Sequence, residues 1–262
     1  MTLQTLVSVV NENTKMLAEK MHLETDAIII NQCDTNTYEQ YDFNGHTIKC
    51  YSFAEIGVGL SRNNALLRAT ADIILFSDED IVYEQGYADK ILKAFEQHPK
   101  ADMLLFNMDV EQDRATYHTE QEFRVHQYNC GRYPTYSFAI RRERLHKENI
   151  TFSLLFGGGA KYSNGEDSLF IKECISHGMK VYALPITIGK EEKRPSTWFN
   201  GYTEKFFFDR GVLYRCLYGF MARPLALRFL LKHKGIMLTQ EQNINSVGQA
   251  YSIMKKGMME WK

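Results

Sequence analysis

The sequence lacks the features that mark export, membrane insertion and metal binding by cysteine. No basic stretch followed by an apolar stretch stands at the N-terminus, so we expect no signal peptide. No apolar run approaches the ~18 residues that a membrane span requires. The five cysteines are odd in number and contain no C-x-x-C pair, so we expect reduced thiols and a cytoplasmic protein.

An excess of charge of one sign is also missing. The formal net charge is −1, which argues against a surface that binds nucleic acid. Internal repeats and low-complexity segments are absent as well. Hydrophobic residues make up 44% and charged residues 24% of the 262 residues, so the chain can bury one large core or two small ones.

Short apolar runs alternate with helical patterns in the first 108 residues. The runs that predict strands are Thr5–Val10, Asp26–Asn31, His46–Phe53, Ile73–Phe76 and Ala101–Met108. Helices are predicted around Leu17, over Gly57–Ala71 and over Tyr87–Gln97. This alternation predicts an α/β fold whose sheet is mainly parallel, with right-handed crossovers.

The pattern changes after Asp109. Glu120–Gln127 and Thr135–Ile140 resemble strands with no helix between them, which predicts a mixed or antiparallel extension of the sheet. A helix is expected from Glu166 to about His177 and a last strand over Lys180–Ile186. The chain from Tyr202 onward is predicted to be helical.

Three acids end the buried run at Ile73–Phe76. Asp78, Glu79 and Asp80 would lie at the carboxyl end of a parallel strand, the edge at which open α/β sheets bind ligands. Three carboxylates there repel one another unless a cation or water reaches them. They indicate Mg²⁺ or Mn²⁺ holding a phosphorylated ligand, with a solvated acidic turn as the simpler alternative.

A second acidic pair follows Gly165, where a helix is expected to begin. Glu166 and Asp167 suit a helix N-terminus for electrostatic reasons alone. In company with the acidic triplet, a carboxylate here could instead remove a proton from an acceptor hydroxyl. Arg62 precedes the acid-tipped strand and could neutralise a phosphate, or it could lie on a helix surface.

Taken together in this order, these segments resemble a family 2 glycosyltransferase with the GT-A fold. Gly57–Asp80 resembles that family's glycine-x-x-x-alanine-arginine-asparagine helix and D-x-D strand, and Gly165–Asp167 resembles its E-D motif. The segment from Ser196 to Gly211 resembles a tail common in bacterial polysaccharide members. The resemblance covers residues 5–220.

The resemblance implies an inverting, hexosyltransferase-like enzyme that uses Mn²⁺ or Mg²⁺. It would move a sugar from a nucleotide-sugar, with a UDP-sugar as the expected donor, to a glycan or lipid-linked acceptor in surface polysaccharide or glycoconjugate synthesis. The implied site residues are Asp167 and Glu166 for catalysis, Asn31, Asp34, Arg62, Asp78 and Glu79 for the nucleotide-sugar, and Asp80 and Asp78 for the metal. Asp167 would be the general base, supported by Glu166.

The sequence departs from the family pattern in three places. Val10–Asn13 replaces the usual proline-x-tyrosine-asparagine, and Asn31–Asp34 replaces the acidic pair after the second strand. No histidine occurs over Thr187–Ser196, so a third metal ligand is not evident. Metal binding would then be weak, or it would depend mainly on the diphosphate of the donor.

Two other functions stay open at this stage. A sugar nucleotidyltransferase would use a similar sheet, but it needs a glycine-rich basic loop after the first strand, which Asn11–Lys15 does not supply. A non-catalytic sugar-binding relative would keep the fold without turnover.

The predicted domains are a GT-A domain over residues 1–200 and a helical C-terminal extension over residues 201–262. Within the first, residues 1–108 would bind the nucleotide-sugar and residues 109–200 the acceptor. Val212–Leu231 mixes apolar residues with Arg215, Arg223 and Arg228. This composition suits peripheral contact with the inner face of a membrane, or a helical lid or homodimer interface that buries these faces.

Overall fold

The computed structural model describes residues 1–111, 117–192, 201–238 and 244–261. The strands in these residues are β1 Leu3–Val10, β2 Asp26–Gln32, β3 Thr37–Phe43, β4 His46–Phe53, β5 Ile73–Asp78, β6 Ile81–Tyr83, β7 Met103–Asp109, β8 Phe123–Arg124, β9 Phe138–Arg141 and β10 Val181–Glu191. The helices are α1 Thr14–Lys20, α2 Val58–Arg68, α3 Tyr87–Gln97, α4 Arg142–Glu148, α5 Glu166–Ser176, α6 Glu204–Tyr218, α7 Ala222–Met237 and α8 Val247–Glu260.

The strands form one ten-stranded sheet in the order β3-β4-β2-β1-β5-β9-β7-β10-β6, with β8 paired to β10. β4, β2, β1 and β5 are parallel neighbours. β9 then runs antiparallel between β5 and β7, and β10 is parallel to β7. The predicted parallel half and its mixed extension are both confirmed.

The central strands are buried on both faces, which explains why they appear in the sequence as continuous apolar runs. Successive side chains of a strand point to opposite faces, so Ile73 and Leu75 join one core while Ile74 and Phe76 join the other. Helices α1 and α3 cover the first face, and α2, α4 and α5 cover the second.

Two of the predicted strands are wrong in extent. Only Phe123–Arg124 is extended within Glu120–Gln127. Thr135–Ser137 forms a 3-10 turn before the strand at Phe138–Arg141. The Ser137 hydroxyl and amide both donate to the Pro134 carbonyl, at 2.8 and 3.0 Å, and such local bonds compete with strand pairing.

Other elements were missed because their patterns are weak. β3 is largely exposed and pairs antiparallel with β4 across the Asn44–Gly45 turn, so it lacks the apolar alternation of a half-buried strand. β6 is three residues long. The last strand continues past the predicted Ile186 to Glu191, through two shifts of register against β7.

The C-terminal helices pack tightly around two glycines. A Cβ atom on Gly211 of α6 would meet the Met254 carbonyl oxygen at 2.1 Å, and one on Gly257 of α8 would meet the Phe208 carbonyl oxygen at 2.1 Å. Only glycine permits this approach of the two backbones. Among the described residues, no helix combines the length and apolar character of a membrane span.

Candidate active site

A single guanidinium group joins the two acidic motifs. Arg62 Nη2 lies 3.0 Å from Asp78 Oδ1 and 3.3 Å from Asp78 Oδ2, and its Nη1 lies 2.8 Å from Glu166 Oε1. The Arg62 side chain is only 5% exposed. Asp78 and Glu166 are 88 positions apart in the sequence, yet both contact one planar group at the carboxyl edge of the sheet.

Helix α2, which carries Arg62, is fixed by side chains that sequence analysis did not single out. Gln32 Oε1 accepts a hydrogen bond from the Gly57 amide at 2.7 Å, which ties the helix start to the end of β2. Asn63 pairs with the Phe152 backbone through both its amide nitrogen and its amide oxygen, at 2.9 and 2.7 Å. The guanidinium therefore extends from a helix held at both the sheet and the loop that follows α4.

The glycine-rich loop before α5 folds against the start of α2. The Val58 amide donates to the Gly158 carbonyl at 2.9 Å. Gly157 has φ of +105°, and a Cβ atom there would lie 2.9 Å from the Glu166 carboxylate. Gly165 has φ of +106° and begins α5. These glycines let the chain turn sharply enough to bring Glu166 to Arg62.

Helix α6 holds the same loop from the other side. Asp209 is buried, and its Oδ2 accepts from the Ser163 amide at 2.9 Å, the Ser163 hydroxyl at 2.8 Å and Lys205 Nζ at 2.7 Å. The segment quoted for the bacterial polysaccharide tail ends with this aspartate and the two residues after it. The first five residues of that segment, 196–200, lie outside the described residues.

Asp167 has the ionisation expected of a base that works near neutral pH. Burial, and then the Glu166 carboxylate, raise the pKa of Asp167 to about 6. The Ser168 amide donates to Asp167 Oδ1 at 2.6 Å and the Ser168 hydroxyl at 3.2 Å, and these bonds act in the opposite direction. Asp167 is thus ionised above about pH 6 and can accept a proton there.

The acidic triplet carries more negative charge than Arg62 offsets. Burial, and then the carboxylates of Asp78 and Asp80, raise the pKa of Glu79 to about 7. The Asp80 carbonyl accepts from the Glu192 amide at 2.7 Å, so the triplet abuts the end of β10. Such an accumulation of carboxylates favours a cation.

Sequence analysis missed two groups beside the triplet. The Tyr136 hydroxyl donates to Glu191 Oε2 at 3.1 Å. Burial, then Glu191, and more weakly Asp78 and Asp80 raise the pKa of the Tyr136 phenol, so these carboxylates share one neighbourhood. Glu191 and Glu192, the acidic residues at the end of the last strand, are the signal for this neighbourhood in the sequence.

The structure separates the two residues predicted to bind the base. Asn31 is buried at the end of β2, where its side chain pairs with the Glu12 backbone at 3.2 Å in both directions. Asp34 is exposed in the loop that follows. Asn31 therefore holds the loop after β1 in shape, while the contact of either residue with a nucleotide stays a prediction.

The charge of the site fits a divalent ion, but its protein ligands are few. Within the described ranges, no group of three or more His, Cys, Asp or Glu side chains is arranged to hold a metal. Asp78 and Asp80 are the predicted metal ligands, and Asp78 also accepts hydrogen bonds from Arg62. An ion here would need oxygens from a bound ligand to complete its coordination.

Residues 2–163 match the sequence profile of the family described as Glycosyl transferase family 2. The chain belongs to glycosyl transferase family 2. The match includes Arg62 and the acidic triplet, and it ends three residues before Glu166. The resemblance drawn from the sequence is thereby confirmed, whereas the roles of the individual site residues stay predictions.

Solved structures show that this family 2 protein has the predicted GT-A fold. S. aureus TarS 1–349 in complex with UDP-GlcNAc is similar with a TM-score of 0.62 and 17% identity, over 92% of this chain and 74% of that one. The mannosyltransferase PcManGT from Pyrobaculum calidifontis, in complex with GDP-Man and Mn²⁺, is similar with a TM-score of 0.55 and 12% identity, over 98% and 74% of the two chains. No curated protein matches the sequence.

Proposed function

We propose that the protein is an inverting, metal-dependent glycosyltransferase that moves a sugar from a nucleotide-sugar to a glycan or lipid-linked acceptor. The observation that carries this proposal is the bridge from Arg62 to Asp78 and Glu166. It brings the acidic triplet to Glu166, the neighbour of the candidate base Asp167, and this proximity supports a single displacement at the anomeric carbon.

Each residue then has a chemical task. Asp167 takes the proton from the incoming hydroxyl, and its pKa of about 6 leaves it ionised at neutral pH. Glu166 supports Asp167 and is itself held by Arg62. Asp80, with Asp78, would hold Mn²⁺ or Mg²⁺, which when bound neutralises the charge of the departing diphosphate. Glu79 and Arg62 would contact the nucleotide-sugar.

A UDP-sugar is the proposed donor. The structure of TarS contains UDP-GlcNAc, and that of the Pyrobaculum mannosyltransferase contains GDP-Man and Mn²⁺. Both support a nucleotide-sugar as the donor. Asp34, exposed after β2, is the proposed contact for the base.

We also propose the domain boundaries and the location that the sequence suggests. Residues 1–108 form the donor half, residues 109–200 the acceptor half, and residues 201–262 a helical extension. A lipid-linked acceptor would place the enzyme at the inner face of the membrane in surface polysaccharide synthesis.

Two measurements test the function. Thermal stabilisation by a panel of nucleotide-sugars, with and without Mn²⁺, identifies the donor. Asp167→Asn should bind that donor normally and lose about 10²–10⁴-fold in turnover, the usual effect of losing a general base. Glu173→Gln, an exposed charge change on the same helix, is the matched control. Normal turnover in Asp167→Asn would remove Asp167 from the mechanism, and donor binding without turnover in the wild type would identify a non-catalytic relative.

A further inference from the structure

A cavity of about 450 Å³ opens among the C-terminal helices, away from the acidic cleft. It lies between the end of α6, the turn at Gly219–Met221, the start of α7 and the end of α8. Its lining includes Arg215, Phe220, Arg223, Met259 and Trp261. The volume falls within the ~300–1,000 Å³ that is typical of ligand pockets.

Two guanidinium groups at this cavity have no acidic partner in the described part of the chain. Arg215 and Arg223 are both exposed, and neither forms an ion pair with a described carboxylate. The nearby Glu260 lies 3.4 Å from Lys161. Two unpaired arginines at one cavity provide the donor geometry that phosphate oxygens accept.

Apolar side chains stand exposed beside these arginines. Phe220 is 85% exposed and Met259 61% exposed at the cavity. The same face continues along α7, where exposed Leu227 and Leu231 alternate with the basic residues Arg228 and Lys232. Basic and apolar groups on one exposed helix face are typical of helices that lie in a membrane interface.

We propose that this cavity binds the phosphate of an anionic lipid, with Phe220 and the α7 leucines entering the acyl boundary of the bilayer. The described residues of 201–261 contain nine Lys and Arg but three Asp and Glu. This charge matches an anionic membrane surface. A symmetric dimer through the same face would instead bring two copies of this basic surface together, which costs energy.

The cavity is connected to the loop that carries the candidate base. The Trp261 ring packs against Phe156 and Tyr162, with centroids 5.8 and 6.4 Å apart. These two rings flank the glycine-rich loop that leads to Glu166. If the proposed function holds, lipid binding here would therefore keep the acceptor side of the cleft near the membrane.

Cosedimentation with phosphatidylcholine vesicles, with and without phosphatidylglycerol, tests the proposal in the absence of nucleotide-sugar. The full chain should bind only the anionic vesicles. Arg215→Gln/Arg223→Gln should weaken this binding about 25-fold, since each basic side chain at an anionic surface contributes about fivefold. Lys93→Gln/Lys147→Gln removes the same charge from exposed positions on α3 and α4 and should change binding little.

Three results would overturn the lipid site. They are absence of binding to anionic vesicles, an equal loss in both double variants, and binding of soluble glycerol phosphate with none to vesicles. Sedimentation velocity without lipid adds a further test, because self-association that Phe220→Ser abolishes would assign the face to a second copy. Donor binding, measured on the same samples, tests the proposed function independently. A loss of lipid binding with normal donor binding would therefore contradict the lipid site and not the proposed function.

Discussion

Replacing Arg62 is the most direct test of how the site is held together. In Arg62→Met the hydrophobic stem keeps its approximate volume, but Asp78 and Glu166 lose their shared cation. Removing one partner of a buried ion pair typically costs ~3–5 kcal/mol. Glu166 is 14% and Asp78 30% exposed, so water solvates Asp78 in part, and we expect the lower end, about 3 kcal/mol.

Thermal unfolding measures this loss. For a chain of this size, about 3 kcal/mol corresponds to a fall in Tm of roughly 6–12 °C. Arg62→Lys keeps the charge, but its single ammonium group cannot donate to both acids in a fixed geometry. Its Tm should therefore lie between those of the wild type and Arg62→Met. Arg228→Met, at an exposed position on α7, should leave Tm nearly unchanged.

A double variant separates loss of the bridge from loss of packing. Adding Glu166→Gln to Arg62→Met removes a carboxylate that no longer has a partner, so the double variant should be more stable than Arg62→Met alone. Additive destabilisation by the two changes, or a cost of Arg62→Met below about 1 kcal/mol, would refute the view that the guanidinium organises these acids.

Further expectations concern protons, the glycine loop and α6. Turnover should fall as pH drops below about 6, because protonated Asp167 cannot accept a proton; a pH profile of kcat/KM without this acidic limb would contradict the assignment. Mn²⁺ affinity by calorimetry should weaken below about pH 7 as Glu79 becomes neutral, and a pH-independent affinity would place the ion elsewhere. Gly157→Ala should lower both Tm and activity, since its Cβ would displace Glu166. Gly178 is also at positive φ but in open space, so Gly178→Ala should leave activity unchanged and lower only the stability, by about 1–2 kcal/mol of backbone strain. Asp209→Ala should reduce stability by about 3 kcal/mol, because charge-assisted hydrogen bonds are lost, and it should slow turnover by releasing Ser163; the exposed Glu204→Ala on the same helix should change both little.

The parallel half of the fold could be predicted because its strands are buried on both faces. Ile73–Phe76 is apolar throughout, and such a run has few alternatives once helices flank it. β3 could not be predicted in the same way, because most of its side chains are exposed. Tyr41 and Phe43 do pack against the core, but two partly buried residues are too few to mark a strand in the sequence.

The site residues could likewise be predicted only where their signal is local in the sequence. Acid-rich ends of strands and helices are local features, so Asp78, Asp80, Glu166 and Asp167 could be singled out from short segments. The partnership of Arg62 with two acids is a property of the folded chain, and the sequence allowed a surface arginine equally well.

The contribution of α6 is the least local of all. Asp209 lies 43 positions after Glu166, and nothing in the sequence distinguishes it from any other acidic residue in an aromatic helix. It becomes significant only because it is buried against Ser163, three residues before Glu166. A buried carboxylate with three donors is costly to displace, so α6 holds the loop in place through Ser163. Glu166 is therefore held by two supports. Arg62 of α2 contacts its carboxylate directly, whereas Asp209 of α6 acts on it only through Ser163 and the glycine-rich loop.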